Sequence, residues 1–75
     1  MDNPLMVVID RDAYDWLYTR APEYLQAVVD ELDAGKSPDE IGRTVVRYGG
    51  EDRKALAMRC EQAARHLARM SGVKV

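Results

Sequence analysis

Residues 51–70, EDRKALAMRCEQAARHLARM, are the longest uninterrupted helical pattern in the chain. Leu56, Cys60, Ala63, Leu67 and Met70 recur at intervals of four, three, four and three, which puts all five on one stripe of a helix. Ala57, Ala64 and Ala68 flank that stripe on one side. Small side chains there let a second helix approach closely, either within the chain or as a self-association seam. On the other flank Arg59, Gln62, His66 and Arg69 form a polar ribbon at three- and four-residue spacing. Such a ribbon suits carboxylates, phosphates or the acidic helix of a partner. A plain solvated face is the alternative reading.

Upstream, the chain divides into shorter segments that can pack on this helix. Leu5–Ile9, LMVVI, is apolar and β-branched, with no second strand signal to pair with it. It reads as an extended arm covering the core, within residues 1–9. Asp10 or Asp12 then caps a helix over 10–20, with Asp12-x-x-Asp15 as a short-armed capping box. If Asp10 is the cap, Ile9 staples onto Tyr14. Ala13, Tyr14, Leu17 and Tyr18 share one side of this helix, and Trp16 lies off it.

Pro22 ends that helix and suits the first position of the next, over 22–34. There Leu25, Val28, Val29 and Leu32 follow the i, i+3, i+4, i+7 spacing, and Gly35 is placed as a left-handed cap. Ser37-Pro38-Asp39-Glu40 opens a third helix over 38–48, with Ser37 and Glu40 as a capping box. Ile41, Val45 and Tyr48 form its apolar side. Gly42 costs roughly 1 kcal/mol relative to Ala in a helix interior, which predicts close approach of another backbone. Gly49-Gly50 turns the chain into the last helix. Ser71-Gly72 closes it, leaving Val73–Val75 as a tail. The expected fold is all-α: a small four-helix bundle in one domain, with an extended N-terminal arm and a long C-terminal helix as its spine.

Composition limits the function classes. A chain of 75 residues buries only about 60% of its unfolded surface. Chains of this size lean on disulfides, metals or partners. One cysteine and one histidine build neither an internal disulfide nor a zinc site, so a partner or a second copy is the stabiliser left. A single thiol fits a reducing compartment, and no apolar run approaches the ~20 residues that span a bilayer. The reading is cytoplasmic. Eight arginines against three lysines, with nine alanines, fit a GC-rich bacterial source.

Charge is split along the chain. Residues 1–35 carry eight acids against two bases, or −6, and residues 36–75 carry nine bases against five acids, or +4. The halves either neutralise one another in the fold or present a surface of each sign. Arg43 and Arg47, one turn apart on the third helix, join Arg59, Gln62, His66 and Arg69 as partner-binding candidates.

Catalytic chemistry finds no constellation. Cys60 and His66 are six residues apart, about 120° around one helix, so they do not face each other. Asp10, Asp12 and Asp15 lack the central glycine of a calcium loop, and no phosphate-binding glycine pattern is present. No metal, cofactor or small-molecule substrate is implied. A ribbon-helix-helix reader needs polar residues on its strand, which LMVVI lacks. A helix-turn-helix over 38–58 would offer Arg53, Lys54 and Arg59 to DNA, but Glu51 and Asp52 sit where bases should be met. The leading expectation is a non-enzymatic protein–protein interaction module or accessory subunit, acting through helix faces and charge complementarity. The alternative is a small DNA- or RNA-binding regulator using the arginine-rich half.

Overall fold

The computed structural model describes residues 4–45 and 53–71. Four helices account for nearly all of them: α1 Pro4–Arg20, α2 Pro22–Asp33, α3 Pro38–Val45 and α4 Arg53–Ser71. α4 touches all three others, α1 and α3 most extensively, so it is the spine of the bundle. Among the described residues no helix is long and apolar enough to cross a membrane.

The extended arm is the main correction. Residues 4–9 are the first turns of α1 rather than an extended segment, so the helix starts at Pro4 and not near 10. Proline suits a helix's first turn, because the amide it lacks would have no partner there. The β preference of Val7, Val8 and Ile9 is a weak prior that packing overrides. Asp10 and Asp12 are therefore interior to α1 and cap nothing, and Ile9 does not staple a helix start. The buried side of α1 is Asp10, Ala13 and Leu17, while Tyr14 is half-buried and Tyr18 exposed.

The middle of the chain follows its local signals. Ala21 is the N-cap of α2 without a side-chain bond, and Pro22 takes the first helical position. Leu25 and Val28 are buried, and Leu32 packs against them. At the far end, Gly35 adopts φ +91°. Its amide donates to the Leu32 carbonyl at 2.9 Å, and the Lys36 amide to the Glu31 carbonyl at 3.2 Å. That pair of bonds is a Schellman cap, which the glycine makes possible. Lys36 Nζ also reaches Glu31 Oε1 at 2.9 Å.

α3 starts at Pro38 as expected, although the Ser37 hydroxyl donates to the Asp39 carboxylate at 3.3 Å. Ile41 is fully buried, and Gly42 lies directly against α4. A Cβ on Gly42 would stand 3.0 Å from the Ala57 carbonyl oxygen and 3.0 Å from Glu61 Cβ. The expected close approach is thus the α3–α4 crossing. Val46, Arg47, Tyr48, the Gly49-Gly50 turn, Glu51, Asp52 and the tail from Gly72 onward lie outside the described residues, as do Met1–Asn3.

On α4 the core side is turned toward the alanine flank. Cys60, Ala63 and Ala64 are fully buried, and Leu56 and Leu67 pack partly against them. Met70, expected in the core, is 63% exposed at the rim. Of the nine buried apolar side chains among the described residues, Ala13, Ala21, Ala63 and Ala64 are alanines.

Candidate interaction surface

α1 and α4 run antiparallel, because positions ascending α1 meet positions descending α4. Asp10 meets Arg65 and Arg69, Tyr14 meets His66, and Trp16 meets Arg59. At the centre is a carboxylate with no exposure to solvent. Asp10 Oδ2 accepts from Arg65 Nε at 3.3 Å and Arg69 Nη2 at 3.2 Å, and Oδ1 accepts from Arg65 Nη2 at 3.4 Å. Arg65 Nη1 also donates to Glu61 Oε2 at 2.7 Å, one turn earlier on α4. Desolvation by burial pulls the Arg65 guanidinium down. Its hydrogen bonds to Asp10 and Glu61, with their charges, outweigh that and hold it above its ordinary value.

A buried charge network of this kind is poor evidence for net stability, since each ion is stripped of water. It is strong evidence for register. One placement of α1 along α4 brings Asp10 to both guanidinium groups, and sliding α1 by a turn would take it away from at least one of them. The acidic first half and basic second half thus neutralise one another at this contact.

The polar ribbon on α4 lies mostly along α1. Arg59 stacks over the Trp16 ring at 4.2 Å from its centroid, and Arg20 stands over the same ring at 5.9 Å. His66 packs against Tyr14, ring centroids 5.1 Å apart and tilted by 45°. Gln62 is half-buried, and Arg69 is held by Asp10. Arg43 is exposed and pairs with Asp39 on its own helix at 2.9 Å, and Arg47 lies outside the described residues. On the alanine flank, Ala64 is fully buried in this chain's core, Ala57 carries the carbonyl facing Gly42, and Ala68 is half-buried.

Beside this packing lies surface that no other described residue covers. A groove of about 510 Å³ between α1 and α4 is lined by Val7, Arg11, Tyr14, Asp15, His66, Leu67 and Met70. Tyr14 and Leu67 also line a second groove, of about 240 Å³, which continues past Tyr18 to Pro22 and Val29 on α2. Val8, Tyr18 and Met70 are 55–66% exposed around these grooves. At the other end of the bundle, Arg43, Arg53 and Lys54 line a groove at the α3–α4 crossing.

The chemistry available is that of contact rather than of a reaction. The Cys60 thiol is buried, and burial pushes it up to about 11, so it is protonated at neutral pH. Among the described residues no group of three or more histidine, cysteine, aspartate or glutamate side chains is placed to hold a metal ion. No protein-family model, curated protein or solved structure matches the chain.

Sequence reasoning missed two features here. Asp10 was assigned to a helix start because its partners are 55 and 59 residues away. The available signal was its spacing: three before Ala13 and seven before Leu17, it belongs to the buried stripe of any helix that continues through it. The Tyr14–Tyr18–Met70 surface was hidden for the same reason, since it exists only once α1 lies antiparallel on α4.

Proposed function

We propose that the protein is a non-enzymatic, helix-face protein–protein interaction module or accessory subunit, and that it binds through the surface between α1 and α4. The observation that carries this is the groove lined by Val7, Tyr14, His66, Leu67 and Met70 together with Arg11 and Asp15, with Val8 and Tyr18 exposed beside it. Large apolar side chains gathered on one side of a small charged protein mark a contact surface. Tyrosine and methionine suit such a surface, giving broad apolar area with a polar or polarizable tip. Arg11 and Asp15 in its lining offer charges of both signs. The alanine-rich core among the described residues supports the same reading, since a partner's added burial would stabilise the fold.

A second reading rests on Arg43, Arg53 and Lys54 at the α3–α4 groove: a contact with nucleic-acid phosphates. Arg65 and Arg69 are engaged by Asp10, whereas Arg53 and Lys54 of this cluster are exposed.

The two readings separate in one pair of assays. The chain carrying Met70→Glu keeps its fold, because Met70 is exposed, and should lose the partner captured by the unaltered chain from its native host. Equal capture by both would sink the groove as the contact surface, and capture of nothing by a chain that also does not self-associate would sink the interaction reading. Filter binding to duplex and single strands at about 50 mM salt tests the other, which must show steep salt dependence.

A further inference from the structure

We propose that α1 pairs with α1 of a second copy of this chain, antiparallel, through the stripe Val8, Arg11, Asp15 and Tyr18. This rests on the reading of the protein as a helix-face interaction module and names one of its partners. The four residues recur at intervals of three, four and three, and all are exposed, on the side of α1 away from Asp10, Ala13 and Leu17. Val8 and Tyr18, at 55% and 66% exposure, are large apolar side chains left in water. Among the described residues neither the Arg11 guanidinium nor the Asp15 carboxylate takes part in an ion pair.

The order along the stripe is apolar, positive, negative, apolar, and it is symmetric about Ala13. A twofold axis crossing the stripe midway between Arg11 and Asp15, on the face opposite Ala13, therefore sets Val8 against the second copy's Tyr18, and Arg11 against its Asp15. Each contact occurs twice, as a closed isologous pair requires. A parallel pairing would instead set Arg11 near Arg11 and Asp15 near Asp15. The charges select the antiparallel form and discourage slipped registers, as matched charges do in paired helices. Asp12 and Thr19 lie to one side of the stripe, in solvent. A second copy also adds burial to a core in which four of the nine buried apolar side chains among the described residues are alanines.

Sedimentation equilibrium on three proteins tests this. The unaltered chain should shift reversibly from monomer to twice that mass as concentration rises. Arg11→Glu and Asp15→Arg should each sediment as folded monomers, because like charges then face one another across the axis. An equimolar mixture of the two variants should regain the doubled mass, the new glutamate facing the new arginine. Circular dichroism confirms that each variant remains helical. The proposal is overturned by an unaltered chain that stays monomeric at every concentration. It is equally overturned by single variants that associate as well as the unaltered chain, or by a mixture no heavier than its parts. Met70 lies off the stripe, so loss of another partner on Met70→Glu in a monomeric chain removes the dimer alone. A dimer unaffected by Met70→Glu, with no other partner bound, removes the α1–α4 groove alone.

Discussion

Asp10 on α1 is fully buried and accepts two hydrogen bonds from Arg65, 55 residues later on α4, at 3.3 and 3.4 Å. Arg69 joins from the next turn at 3.2 Å. Removing the carboxylate leaves two guanidinium groups facing an apolar contact. Breaking a buried ion pair typically costs about 3–5 kcal/mol. Here the arginine side chains retain 28% and 26% exposure and can turn toward water, so Asp10→Ala should cost about 2–3 kcal/mol. Asp10→Asn, which keeps an acceptor oxygen, should cost less. Asp10→Ala combined with Arg65→Ala should cost less than the two apart, measured by urea denaturation. Strict additivity would mean that the pair is not coupled.

Gly42 makes the opposite kind of prediction, from geometry alone. Alanine in place of glycine gains about 1 kcal/mol of helix propensity on an open helix face. At Gly42 the new methyl would stand 3.0 Å from the Ala57 carbonyl oxygen, which belongs to the backbone of α4 and cannot turn aside. Overpacking of this kind costs about 1–3 kcal/mol, so Gly42→Ala should be destabilising on balance. A melting temperature above that of the unaltered chain would show that α3 and α4 are not so closely packed.

Cys60 fixes a pH dependence. Its thiol ionises at 9.0 when solvated and is pushed up to about 11 by burial in the fold. Below this window folded and unfolded chains both hold the proton. Within it the unfolded chain releases the proton and the folded chain does not, so stability falls as pH rises. The loss through this group is on the order of 2–3 kcal/mol. Other groups titrate in the same range, so the measurement is the difference in slope between the unaltered chain and Cys60→Ala. Equal slopes would place the thiol in water, as would rapid reaction with a thiol reagent at pH 7.

What the sequence made legible is what depends on neighbours a few residues away. The α2 stripe, the left-handed Gly35 and the α3 start at Pro38 are all local, and each is found. Gly42 was legible because a glycine inside a helix needs a reason, and a close helix crossing is the commonest one. Residues 4–9 were misread because β-branched side chains carry only a weak strand preference, and Pro4 as a helix start was not weighed against it. Asp10 was misread because a buried carboxylate is decided by partners more than fifty residues away, which no local pattern contains. The polar ribbon of Arg59, Gln62, His66 and Arg69 was seen as a set. That α1 would lie along it, with Trp16 under Arg59 and Tyr14 on His66, required the antiparallel pairing itself.

The most direct test of the interaction surface is site-specific photocrosslinking in the native host, with the reactive side chain introduced singly at Met70 and at Lys54. Both positions are exposed, and they lie at opposite ends of α4. The account predicts a discrete protein adduct from the probe at Met70 and none from the probe at Lys54. A nucleic-acid adduct at Lys54, with no protein adduct at Met70, would contradict it.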